Sequence, residues 1–104
     1  MYRLFLLLFL PGFLFTEIYV DVRTPNEFQE ESIINTINIE WQKIQEIKGV
    51  AAKDEDIYLF CRSGNRSEKA KAILEEAGYK KVKNIGGFKE AQAFIKARSN
   101  INEN

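Results

Sequence analysis

The chain's only cysteine, Cys61, opens the stretch Cys61-Arg62-Ser63-Gly64-Asn65-Arg66-Ser67. A short apolar run, Ile57-Tyr58-Leu59-Phe60, leads into it, and a helical pattern over 68–74 leads out. The cysteine is therefore expected where a buried strand hands over to a helix. At such a junction the first N–H groups have no intrahelical partner and the helix dipole is positive. A loop of small residues lets those groups converge on an anion. Gly64 and Asn65 tolerate the positive φ that such a nest needs, and Arg62 and Arg66 add positive charge. A thiol in that field ionises more readily than a free one, whose pKa is about 8.5. The pattern predicts a reactive thiolate at Cys61, exposed in an anion-binding loop of Arg62, Ser63, Gly64, Asn65, Arg66 and Ser67. The plainer reading of a lone cysteine is an inert, buried thiol.

This loop resembles the active-site loop of the single-domain rhodaneses, a family of sulfurtransferases. Three further stretches resemble the same family, in the same order: Asp21-Val22-Arg23-Thr24-Pro25-Asn26-Glu27-Phe28, then Ile37-Asn38-Ile39, then Gly86-Gly87-Phe88. With its apolar leader and small size, the chain looks most like the short secreted rhodaneses of the phage-shock-protein E type. The resemblance implies a persulfide on Cys61, formed from thiosulfate or a similar donor and passed to cyanide or a thiol. Loop N–H groups would stabilise the persulfide anion. Arg66 would hold the loop closed from its base, and Arg62 would steer an anionic donor inward. The sequence departs from the family at Glu31-Ser32, where Gly-His is usual, and at Asn35-Thr36, where Gly-Ala is usual. Asn35 can still take a left-handed turn.

Two other functions compete. Cysteine-dependent phosphatases also set a Cys and an Arg around an anion loop after a strand, but their loop carries one residue more between the two, and no Asp is evidently placed to protonate a leaving alcohol. A rhodanese fold could also serve as a non-enzymatic module that stores or relays persulfide sulfur.

The elements that must position Cys61 follow from periodicity. Ile18-Tyr19-Val20-Asp21-Val22 reads as a strand. Thr24 can cap a following short helix, with Pro25 at its first position and Glu27 completing a capping box. Asp21 and Arg23 fall at the strand's end, which in an open parallel sheet is the ligand-binding edge. A charge there is costly unless paired, so Asp21 is expected to accept hydrogen bonds, with Arg23 either its partner or a neighbour of the Cys61 loop, and for both a supporting, structural pairing is expected ahead of direct catalysis. A short strand is expected at 37–39. A helix is expected over 41–48, with Trp41, Ile44 and Ile47 in the core and Gly49 as its stop. Another helix is expected over 67–77 and ends at Gly78, then a strand over 79–85, a turn at Gly86-Gly87, and a helix over 88–98. Strands alternating with helices predict an α/β domain of three layers, a mainly parallel sheet flanked by helices. The expected organisation is a leader over 1–16, a rhodanese-like domain over 17–99 and a disordered tail over 100–104.

Composition narrows the function. Fifteen basic residues balance 15 acidic ones, which argues against a nucleic-acid partner. One cysteine excludes an internal disulfide, and the absence of histidine excludes a His-based metal site or a Cys–His pair. Neither a metal nor a cofactor is expected. Arg3 followed by a continuous apolar stretch over 4–10 reads as a signal peptide, shorter than the roughly 20 residues that span a bilayer. No A-x-A-like cleavage pair follows, so an uncleaved membrane anchor stays open beside a periplasmic or secreted protein. Outside the cytosol a single thiolate risks over-oxidation, which calls for a reducing thiol partner.

Overall fold

The computed structural model describes residues 17–103; the apolar stretch 1–16, expected as a leader, lies outside them. Strand β1 (Glu17–Asp21) sends alternate side chains to opposite faces. Ile18 and Val20 pack into one core cluster, whereas Tyr19 stacks on Tyr58 on the other face, at 5.1 Å between ring centroids. Strand β3 (Asp56–Phe60) repeats the pattern: Ile57, Leu59 and the following Cys61 join the first cluster, and Phe60 joins a second with Ile33 and Ala91. Both faces are therefore buried, as a parallel sheet between helix layers requires. With β2 (Ile37–Asn38) and β4 (Val82–Asn84), the strands form a four-stranded sheet in the order β2-β1-β3-β4, every pair parallel. The three-layer α/β arrangement expected from the alternating pattern is present.

One face is covered by the segment Trp41–Gly49 and by helix α2 (Asn65–Glu76), through Ile44, Ile47, Ala70 and Leu74. The other is covered by α3 (Phe88–Glu103), through Phe88, Ala91 and Ile95. Helix α1 (Pro25–Glu30) has no buried residue and sits by the C-terminal end of β1. All four parallel strands end at one edge, so Asp21, Cys61 and Asn84 arrive there together.

Three sequence expectations change. Trp41–Gly49 is a 3-10 helix with a break at Lys43 (φ −112°), not a regular α-helix. Its apolar residues Trp41, Ile44 and Ile47 recur every third position, and three residues per turn stack them in one row against the sheet. Strand β4 is shorter than 79–85, because the Tyr79 and Lys80 N–H groups bond to Leu74 and Lys53 carbonyls instead of joining the ladder. Helix α3 runs through Asn100 to Glu103, where a disordered tail was expected; no glycine or proline follows Gly87 to stop it.

Candidate functional site

Cys61 sits just past the end of β3, with its N–H donating to Gly86 O at 3.1 Å. Gly64 adopts φ +97° and is the N-cap of α2, so the chain turns sharply back over the sulfur. The Gly64 N–H donates to Cys61 Sγ at 3.0 Å. Ser67 Oγ, fully buried in the first turn of α2, lies 3.4 Å from Sγ. Burial pushes the Cys61 thiol up, but the Ser67 hydroxyl and the N–H groups of Ser67, Ser63 and Gly64 together outweigh it. The net direction is below the ordinary cysteine value. The nest expected around Cys61 is thus formed, with two corrections. Asn65 does not share the positive φ, because Gly64 alone makes the turn and Asn65 already begins the helix. Cys61 is not exposed: it is 1% accessible, covered by the packing of the first turn of α2 onto the strand end.

The loop is braced by the turn after β4. Asn84 Nδ2 donates to Gly64 O at 3.1 Å and to Glu68 Oε1 at 3.0 Å, while its Oδ1 accepts the Gly86 N–H at 2.9 Å and faces Ser67 Oγ at 2.8 Å. Gly87 pairs with Ser63 across an antiparallel bridge. A Cβ on Gly87 would stand 2.6 Å from the Arg62 carbonyl oxygen, so only glycine permits that approach. Asn84 was not marked by the sequence as a site residue, since its role depends on contacts across 17 and 20 positions of chain.

The two loop arginines share one carboxylate. Arg66 Nη1 and Nη2 donate to Glu27 Oε1 and Oε2 at 2.8 and 3.2 Å. Arg62, 62% exposed, donates through Nε to Glu27 Oε2 at 3.2 Å. Glu27 also completes the capping box of α1, accepting the Thr24 N–H at 2.9 Å. The Arg66 guanidinium first, then the Thr24 N–H and Arg62, hold the Glu27 carboxyl well below the usual carboxylate range despite its partial burial. Glu27 was legible as a capping residue but not as the counter-ion of the loop; two arginines in one short loop were the signal that a shared carboxylate had to be near.

Asp21 and Arg23 pair as expected. Both are buried, Arg23 Nε and Nη2 donate to the Asp21 carboxylate at 2.8–3.0 Å, and the Arg23 N–H adds a fourth bond at 2.9 Å. Arg23 Nη2 also reaches Glu31 O at 2.6 Å, and its guanidinium lies 4.6 Å from the centre of the Phe88 ring. Neither residue bonds to the Cys61 loop. Trp41 packs against the core beside α2, under Lys69, and its backbone N–H donates to Val22 O at 3.1 Å, just past the end of β1.

An open cleft of about 600 Å³ lies against the loop, lined among others by Arg23, Glu27, Arg62, Ser63, Gly87 and Phe88. Its size is in the range of small-molecule sites. The arrangement offers a soft nucleophile with a lowered pKa and oriented N–H donors for an anion built on that sulfur.

Comparison with known proteins gives one consistent result. Residues 14–93 match the model of the rhodanese-like domain. The chain is 37% identical over 76 residues to the thiosulfate sulfurtransferase PspE of Escherichia coli (strain K12), covering 71% of this chain and 73% of that protein. It is 32% identical over 77 residues to the thiosulfate sulfurtransferase GlpE of Coxiella burnetii (strain RSA 493 / Nine Mile phase I), covering 73% of this chain and 72% of that one. Among solved structures, a rhodanese with anions from E. coli superposes with a TM-score of 0.67 at 36% identity, over 72% of this chain and 91% of the other.

Proposed function

The chain belongs to the rhodanese-like domain family, and we propose from that premise that it is a sulfurtransferase working through a persulfide on Cys61. The Cys61 thiolate attacks the outer sulfur of thiosulfate or a similar donor. A new S–S bond forms as the donor's own S–S bond breaks, and sulfite leaves with the bonding pair. The result is Cys61–S–S⁻, whose charge falls on the outer sulfur. In the second half-reaction cyanide, or a thiolate, attacks that sulfur. Thiocyanate or a new persulfide departs, and the Cys61 thiolate is restored. The donors that receive the charge are in place beforehand, so little reorganisation is needed when it arrives.

The observation that carries this reading is the Gly64 N–H held 3.0 Å from Sγ at the start of a twelve-residue helix. Burial of Cys61 favours a second reading, in which the domain stores or relays sulfur without a fixed small-molecule acceptor. The apolar stretch 1–16 supports action in the periplasm or outside the cell, free or membrane-anchored.

Intact mass after incubation with thiosulfate tests the proposal. A gain of about one sulfur atom, removed by cyanide and absent in Cys61→Ser, is expected. An adduct that cyanide cannot remove would favour the relay reading. Absence of any adduct at Cys61 would overturn the thiosulfate route.

A further inference from the structure

The loop arginines, which give an anion site its positive charge, are already half neutralised before any substrate arrives. One carboxylate, Glu27, contacts both: Arg66 at 2.8 Å and Arg62 at 3.2 Å. One carboxylate shared by two guanidiniums leaves the trio one net positive charge where the arginines alone would present two, and the field at a distance falls accordingly. The rest of the cleft does not make up the loss. Its other cationic side chains are Arg23, which Asp21 already matches, and Lys89. The same cleft is also lined by Glu30, Glu31 and Glu90. A donor carrying two negative charges would have to settle beside Glu27 while this balance opposes it. A donor of similar reactivity with one charge or none meets less opposition, and the cleft of about 600 Å³ is roomy enough for an organic group on the sulfur.

We propose that Glu27 is the specificity-determining residue of this site: by pairing with Arg62 and Arg66 together it lowers the positive potential over Cys61, and so disfavours dianionic sulfur donors relative to singly charged or neutral ones such as organic persulfides. The proposal rests on the reading of Cys61 as the sulfur-accepting nucleophile. Glu27 acts through the arginines, and its effect is on which molecules approach, a matter of electrostatic selection rather than of the bond-making step.

Glu27→Gln removes the charge and keeps the capping box, since Gln serves at that position as Glu does. Its KM for thiosulfate is expected to fall. The decisive experiment does not need sulfur transfer. Cys61 is alkylated with iodoacetate and with iodoacetamide, which are close in size and differ in charge. The ratio of the two rates reports the potential at the sulfur, and any change in access cancels. Glu27→Gln is expected to raise the iodoacetate-to-iodoacetamide ratio about fivefold, an effect that shrinks in high salt. Glu30→Gln removes the same charge from the same helix without touching an arginine, and is expected to shift the ratio by less than half as much. If Glu27→Gln speeds both reagents by the same factor, Glu27 controls access and the proposal is overturned. An equal shift in Glu30→Gln overturns it as well. A Cys61 that neither reacts with these reagents nor gains sulfur from thiosulfate would remove the nucleophile itself, and the function proposed above would fall with it.

Discussion

The Ser67 hydroxyl has one proton and three acceptors within reach: Cys61 Sγ at 3.4 Å, Gly64 O at 3.1 Å and Asn84 Oδ1 at 2.8 Å. When Cys61 is a neutral thiol the oxygens compete well; when it is a thiolate, the charge makes sulfur the better acceptor. Ser67 thus favours the ionised form, and taking it away shifts the thiol upward. Ser67→Ala is expected to raise the apparent pKa of Cys61 by on the order of one unit and to slow its alkylation by iodoacetamide about tenfold at neutral pH, with the rate recovered in alkaline solution. Alanine suits the first turn of α2, so the helix survives the change. A pH profile that does not move would mean that the amides alone hold the thiolate. At this scale the sequence was informative where function is local: Cys61, Gly64 and Ser67 lie within seven residues of each other. It was silent on Asn84 and on the double duty of Glu27, because an asparagine or a glutamate gains such a role only from side chains that the fold brings to it across 17 to 39 positions.

Helix α1 illustrates how an element with no core of its own is held. None of its six residues is fully buried, and so short a helix does not persist alone in water. The capping box from Thr24 stabilises its start, and the Glu27 carboxylate ties it to Arg66 on α2. The folded-state pKa of Glu27 is depressed, chiefly by Arg66. The stabilisation it brings is therefore complete above the unfolded value of about 4.3 and is lost as pH falls below it toward the folded value. Glu27→Gln forfeits that contribution at neutral pH and has nothing further to lose in acid. The midpoint of thermal unfolding is expected to be higher for the wild-type chain at pH 7, and the two proteins are expected to converge between about pH 5 and pH 2. A constant gap across that range would show that Glu27 acts through packing alone. The capping box itself could be read from Thr24-Pro25-Asn26-Glu27, because its partners lie three residues apart. The 3-10 winding of Trp41–Gly49 was also written in the chain, as apolar residues every third position, but such short periods separate from the α-helical one only when the sheet face that receives them is known.

Over the whole molecule, the parallel sheet gathers the site by ending all of its strands at one edge, and that edge must also bury the charges it collects. Asp21 and Arg23 lie there at 0% and 3% exposure, joined by four hydrogen bonds between Arg23 donors and the Asp21 carboxylate. The alternation of strands and helices made the layers readable in advance, and a charged pair at a buried strand end was readable as a pair for the same reason: neither charge is tolerable there alone. What the pair does for function depends on which loss dominates when it is broken. Removing one partner strands the other in the interior, at a cost of about 3–5 kcal/mol. A domain of this size has on the order of 5–10 kcal/mol in total, so the change consumes a large share of it. Asp21→Ala is therefore expected to lower the urea midpoint severely, whereas the double change Asp21→Leu with Arg23→Met, which leaves no unpaired charge, is expected to recover a large part of the loss. Sulfur loading of Cys61 at low temperature separates structure from chemistry. If the pair is structural, the folded fraction of Asp21→Ala takes up sulfur as the wild type does, because neither residue bonds to the Cys61 loop. A variant that stays folded by near-UV circular dichroism yet fails to load would move Asp21 or Arg23 from scaffold to reaction. The cation–π contact of Arg23 with Phe88, which lines the cleft, is the route by which such an effect would reach the substrate.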